Sequence, residues 1–340
     1  MQTAVVTKFG APKVLQLRDL PVPQPAPDEV RIRTAAIGIN FADVMARLGV
    51  YPSIPDPPFV PGIELSGIVD AVGDEVHSLQ VGDRVIAFVR QGAYAEYVKT
   101  PAKFVRRMPE GMTFEDGAAF GVAYLSAYHG LATLAHMGKG ERLLFHAAAG
   151  GVGLAALQLC RLWGVETIAT ASADWKLEIA KSHGAQHLIN YAMKDFEDSV
   201  REILGDAALD VVMDSVGGRL FRKGWRLLGP MGRYVLYGFA SITDRKTIRK
   251  WKAAREFLSV PLIHPPSLVG KNKSLIGFNL YFLTEKVDYL QSVTEKLFSL
   301  YEAGSIRTVI GATFPFDRIV EAHAFLQSRE SYGKVVVLMR

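Results

Sequence analysis

The stretch RLLFHAAAGGVGLAALQLCRLWG, residues 142–164, passes from a short apolar run through three alanines and three glycines into an apolar run of helical length. A buried strand, a tight turn of small residues and a buried helix is the local reading, and it decides what the neighbouring segments must be. Downstream the same alternation continues: ETIATA, DWKLEIAKSHGA, HLIN, DFEDSVREILG, DVVMDSV, RLFRKGWRLLG and RYVLYG. Strands and helices in strict alternation predict a parallel, doubly wound α/β sheet. A basic helix over TDRKTIRKWKAAREFLS, a last strand in SLIGFNLYFL and a long amphipathic helix over KVDYLQSVTEKLFSLYEAG should follow, before the closing strand KVVVLM. Upstream, TAVVTKF, VLQLRDL, EVRIRTAAIG, LSGIVDAVG, DRVIAFV and AYAEYVKT are short β segments cut by Pro and Gly, which predicts an irregular, mostly antiparallel β domain.

The turn itself carries a function. In a dinucleotide-binding turn the first small residue allows a tight bend, the second admits a pyrophosphate to the backbone, and the third brings strand and helix together. Ala148, Gly150 and Gly153 hold those places, with Gly151 and Val152 between them at the start of the helix. The positive end of that helix faces the phosphates. At the end of the second strand, where an acid would hold ribose hydroxyls, the chain reads TIATASADWK. Ser172 and Lys176 suit a 2′-phosphate, so NADPH is the expected cofactor, while Asp174 sits where a helix N-cap would. Lys176 as a plain solvated charge is the competing reading.

Composition narrows the class. The 340 residues carry 39 Lys and Arg against 34 Asp and Glu, a net charge of +5, which is no nucleic-acid signature and suits a small anionic ligand. No secretory leader or run long enough to span a membrane is visible, and the single cysteine, Cys160, excludes an intrachain disulfide or a multi-cysteine zinc cluster. A cytoplasmic location follows as an expectation. His183 and His187 have helical spacing, but Gly184 should end the helix between them and part them.

With these residues in view, the chain resembles the zinc-independent quinone oxidoreductase and enoyl reductase members of the medium-chain dehydrogenase/reductase superfamily, close to the vesicle amine transport protein-like subgroup. The resemblance runs over AAIGINFADVMARLGVYP, VPGIELSGIVDAVG, VGDRV, GAYAEYV, HAAAGGVG, ASADWKLEIAKSHGAQHLINY, DVVMDSVGG, GRYVLYG and GKVVV. It implies a GroES-like catalytic domain, residues 1–123 with 281–340, and an NADPH-binding Rossmann domain, residues 124–280, in a homodimer paired through the last Rossmann strand. It also implies that Tyr191 joins Ser172 and Lys176 around the 2′-phosphate, and that the terminal pair Gly333 and Lys334 lies close to the cofactor. Zinc-dependent relatives carry a cysteine where this chain has Asn40 and a four-cysteine lobe after the GDRV turn; here neither is present, so no metal is expected.

Without zinc, reduction of a C=C conjugated to a carbonyl needs hydride at the β carbon, a proton at the α carbon and a donor for the enolate-like charge. The catalytic tyrosine of similar enoyl thioester reductases aligns with Tyr51, which is thereby proton donor or enolate stabiliser, with Asn40 an amide contact to nicotinamide or substrate and Asp43 a structural partner. Gly238, Phe239, Phe278 and Asn279 are candidate walls of the nicotinamide and substrate pocket, with core packing as the competing reading. Arg245, Lys246, Arg249, Lys250, Lys252 and Arg255 gather positive charge. They are either a solvated helix face or a contact for the phosphates of an acyl-CoA substrate or an acidic carrier. A quinone reductase, and a cofactor-binding module with a partner or membrane-surface role, are the alternative functions.

Overall fold

The computed structural model describes residues 1–243 and 250–339. Arg245, Lys246 and Arg249, and the side chains of Lys250 and Lys252, lie outside the described residues; Arg255 is exposed.

The first lobe contains β1 (Gln2–Val6), β2 (Leu15–Asp19), β3 (Glu29–Ile39), α1 (Phe41–Arg47), β4 (Glu64–Val72), β5 (Arg84–Phe88), β6 (Tyr97–Pro101), β7 (Val105–Arg107) and α2 (Phe114–Tyr128). Thr113 starts α2 by accepting a hydrogen bond from the Asp116 amide, a standard N-cap. The alternating part follows as β8 (Arg142–His146), α3 (Gly151–Trp163), β9 (Glu166–Ala171), α4 (Asp174–Ser182), β10 (His187–Asn190), α5 (Phe196–Leu204), β11 (Leu209–Asp214), α6 (Arg219–Leu227) and β12 (Leu228–Leu236). The chain then forms α7 (Lys250–Ser259), α8 (Pro265–Lys271), β13 (Ser274–Gly277), α9 (Val287–Glu302), β14 (Ile310–Pro315), α10 (Ile319–Ser328) and β15 (Lys334–Leu338).

One sheet runs β10-β9-β8-β11-β12-β13, all parallel. Its order reverses at β8, so the crevice at the carboxyl ends of β8 and β11 is the topological switch point where such sheets bind ligands. The glycine turn opens onto it. A second sheet runs β14-β15-β3-β4-β5-β7, with β6 on β3; β15 pairs antiparallel with β3, Val335 opposite Ile39. The closing strand thus returns to the first lobe, as its late position suggested. The strand-and-helix alternation was expected from about residue 124, but α2 runs unbroken through that position and packs on both β3 and α3. The strand read in SLIGFNLYFL stops at Gly277, because Asn279 turns the chain by accepting from the Tyr281 amide.

At the glycine turn the left-handed residue is Ala147, at φ 56°, rather than Ala148. Ala148 instead is fully buried, and its amide donates to Thr170 O at 3.1 Å, pinning the turn to the neighbouring strand. Gly153 has its expected packing role: a Cβ there would meet Ala148 O at 2.3 Å. Gly153→Ala should therefore push α3 off the sheet and cost about 1–3 kcal/mol. Urea unfolding would read this as a lowered midpoint with an unchanged slope, and an unchanged midpoint would remove the close-packing account.

Candidate active site

Three groups of residues meet at the crevice. The first is the turn itself. The first-turn amides of α3, at Gly151, Val152 and Gly153, have no preceding carbonyl of the helix to bond, and the Lys334 stem lies against Gly151. At the adjacent strand ends Asn190 is in register with Ala171, and the Tyr191 amide donates to Ala171 O at 3.1 Å, so Tyr191 follows directly beside Ser172. The Tyr191 ring is exposed. Lys176 is more deeply placed than a solvated charge: it is 8% exposed, and its ammonium donates to Arg329 O at 2.6 Å. Burial, with the Arg329 guanidinium adding to it, lowers its pKa. Arg329, just past α10, is thus a second cation at this place, which no local pattern announces. Asp174 is not the N-cap; Ala173 holds that position, and Asp174 accepts from the Asn190 amide at 2.7 Å. His183 and His187 part as expected, His183 on Ile179 O and His187 on Glu166.

The second group surrounds Tyr51. Its hydroxyl donates to Asn279 Oδ1 at 3.0 Å, and its ring meets Tyr281 edge-on at 5.7 Å. Burial, more than the nearby Asp43 charge, pushes its pKa up to about 12, so the hydroxyl stays protonated. Ile54, Phe59, Ile63 and Tyr281 make the surrounding pocket largely apolar, with Arg90 at its rim donating to Thr284 Oγ1 at 3.0 Å. Asn279 is therefore brought to Tyr51. Phe278 is not: half-buried at the margin of the core, it stacks on Tyr237 and lies edge-on to His129. Gly238 lets β12 approach Ser215, whose carbonyl a Cβ would meet at 2.7 Å, and Phe239 is exposed beside Gly217.

The third group was largely invisible in the sequence. Asn40 caps α1 through a reciprocal box with Asp43. Its Nδ2 donates to Glu64 Oε1 at 2.8 Å and to Gly38 O at 3.3 Å, and its Oδ1 accepts from Lys334 at 2.7 Å. Both Nδ2 hydrogens are thus used within the protein, whereas Oδ1 takes one donor and has a second lone pair with which the expected contact to nicotinamide or substrate can be made. Asp43 accepts from the Asn40 amide at 2.8 Å and from the Tyr94 hydroxyl at 3.1 Å, and Tyr94 lies 2.9 Å from His323 Nε2. Arg47, fully buried, donates to Gly10 O and Gln327. Burial raises Asp43 to about 7 and drops His323 to about 3.

A metal does not fit this shelf. Ile39 O, Asn40 Oδ1 and Glu64 Oε1 are all taken by the Lys334 ammonium, and a dication beside that charge would be repelled. Among the described residues no group of three His, Cys, Asp or Glu is placed to hold a metal, and Cys160 is buried in α3. Also among them, no helix is long and apolar enough to cross a membrane.

The raised pKa of Asp43 has a stability consequence. Between its ordinary 3.8 and about 7 the folded chain keeps a proton that the unfolded chain gives up, so stability falls as pH rises through that window. Asp43→Asn keeps an acceptor for Asn40 and Tyr94 but cannot ionise. Its stability relative to the parent chain should increase between about pH 4 and about pH 7 and then level off; a difference independent of pH in urea melts would show that Asp43 is ionised throughout.

Comparison with known proteins follows this geometry. Residues 26–110 match the alcohol dehydrogenase GroES-like domain and residues 183–337 the zinc-binding dehydrogenase family. The synaptic vesicle membrane protein VAT-1 homolog of Mus musculus is 37% identical over 99% of this chain and 84% of its own length. The crystal structure of Escherichia coli quinone oxidoreductase complexed with NADPH superimposes with TM-score 0.89 at 30% identity, over 99% of this chain and 100% of that one. The CurK enoyl reductase does so with TM-score 0.86 at 28% identity, over 100% and 99%. The chain belongs to the medium-chain dehydrogenase/reductase superfamily of oxidoreductases, close to the VAT-1 homologs and the quinone oxidoreductases.

Proposed function

We propose that this chain is an NADPH-dependent, metal-free reductase of a C=C bond conjugated to a carbonyl, in a free enone or an enoyl thioester such as an acyl-CoA. The observation that carries the reading is the Tyr51 hydroxyl, kept protonated in an apolar pocket and aimed by Asn279. NADPH, bound along the glycine turn, supplies the hydride. The first-turn amides of α3 take the pyrophosphate, and Ser172, Lys176, Tyr191 and Arg329 take the 2′-phosphate. Tyr51 donates its hydrogen bond to the carbonyl oxygen as negative charge gathers there, and the α carbon receives its proton either from the Tyr51 hydroxyl, which solvent then reprotonates, or from solvent directly. Burial strengthens such a donor because no water competes with it. Gly238 and Phe239 border the nicotinamide end, and a homodimer through the open edge of β13 goes with this reading.

A quinone reductase is the second reading, favoured by the likeness to the Escherichia coli quinone oxidoreductase bound to NADPH. A flat quinone accepts hydride without a tyrosine to hold an enolate. NADPH oxidation with an enoyl-CoA, the matching enone and a para-quinone separates the readings. For Tyr51→Phe, enone and thioester rates should fall roughly 10²- to 10⁴-fold while any quinone rate persists. Turnover of quinone alone, indifferent to Tyr51, would replace the first reading with the second, and tight NADPH binding without any turnover would favour a binding module.

The cofactor preference has its own test. Lys176→Ala should raise the KM for NADPH by about tenfold or more, the value of one charge-assisted hydrogen bond, and leave that for NADH nearly unchanged. Equal loss with both cofactors would mean that Lys176 serves only to hold the end of α10.

A further inference from the structure

The shelf beneath α1 is closed to solvent: Lys334 is 6% exposed and Glu64 2%. An ammonium has three hydrogens. Those of Lys334 have three acceptors within range, Glu64 Oε1 at 2.6 Å, Asn40 Oδ1 at 2.7 Å and Ile39 O at 3.2 Å. Glu64 is equally committed, since its Oε2 also accepts the Val122 amide of α2 at 2.8 Å. With every hydrogen used, Lys334 has none to give a phosphate oxygen without breaking a buried bond.

The other end of Lys334 belongs to the glycine turn. The Gly333 amide donates to Ala149 O at 2.8 Å, and Gly150 forms a parallel bridge with Gly333. The lysine stem lies so close to the turn that a Cβ on Gly151 would meet Lys334 Cδ at 2.8 Å. The stem of Lys334 therefore lies against the glycine turn of one lobe, and its charge is buried among β3, β4 and α1 of the other.

We propose that Lys334 and Glu64 are positioning residues: a buried ion pair that sets the distance and angle between the glycine turn and the N-cap of α1, and through α1 the place of Tyr51. Lys334 acts on the reaction through Asn40 and Glu64, not as a ligand of the pyrophosphate. This rests on the reading of the turn as the dinucleotide site.

Two single variants, their double variant and three readouts test it. Binding of NADPH is followed by its fluorescence at several salt concentrations, and kcat is measured at saturating NADPH with the best acceptor. Lys334→Met should leave Kd within about threefold and its salt dependence unchanged, while kcat falls by about tenfold or more. Glu64→Gln should lower kcat similarly, and the two losses should not add. Loss of either partner strands a buried charge, so the double variant Lys334→Met with Glu64→Gln should regain thermal stability over Lys334→Met and allows the same comparison if the single variant fails to fold. A tenfold rise in Kd with a shallower salt slope and intact kcat would overturn the proposal and make Lys334 a phosphate ligand. Failure of the parent chain to bind NADPH would instead overturn the dinucleotide reading itself, and the proposal with it.

Discussion

A single buried ammonium organises the crevice. Lys334 lies where β15, β3, the end of β4 and the glycine turn converge, and its charge is neutralised by Glu64. Burying such a pair is costly unless the remaining lone pairs are satisfied. Here Asn40, Ile39, Val122 and Gly38 supply those partners, so the cost is offset by a network that ties β15, β3, β4, α1 and α2 together. Gly38 is needed for the same reason, because a Cβ there would meet Ala118 O at 2.0 Å and Glu64 Oε1 at 2.6 Å. In zinc-dependent relatives a cysteine stands in place of Asn40; in this chain a neutral amide and a covalently attached cation occupy that region.

The last part of the chain does most of the joining. From α10, His323 reaches Tyr94 and Gln327 reaches Arg47, which docks the helix on α1. Just beyond, Arg329 adopts a left-handed conformation and offers its carbonyl to Lys176. Gly333, also left-handed, binds the glycine turn, and Lys334 closes on Glu64. Five successive contacts are thus set by a short run of sequence. A change in the pitch of α10 would be felt at Lys176 and at α1 together.

Local patterns were readable in advance because their causes are local. Strand and helix alternate in hydrophobic period, and the small residues after Phe145 mark a turn whatever surrounds it. The placement of Ser172, Lys176 and Tyr191 at neighbouring strand and helix ends follows from the same regularity. What could not be read depends on contacts between residues far apart in the chain. Glu64 looks like any acid at the start of a strand until Lys334 is set beside it, and Arg329 gains meaning only from Lys176. Asp174 shows the limit at short range: its position suits a cap, but the Asn190 amide on the next strand captures it, and Ala173 begins the helix without side-chain help. Phe278 follows a strand as a pocket wall would, and its stacking on the half-buried ring of Tyr237 is a contact that its sequence position does not announce.

The two polar regions of the crevice differ in how they meet solvent, and this divides their work. Around Tyr51 the walls are largely apolar, and the hydroxyl has one neutral acceptor, Asn279. Around Lys334 every donor and acceptor is matched internally, and exchanging any bond would leave a buried charge short of a partner. A site that must bind and release small molecules uses the first kind of group for contact and the second for alignment. The shared element is α1, whose N-cap is held by the saturated network and whose C-terminal end leads into the loop carrying Tyr51. The saturated network thus holds the start of α1, and the hydrogen bond from Tyr51 to Asn279 lies beyond its other end.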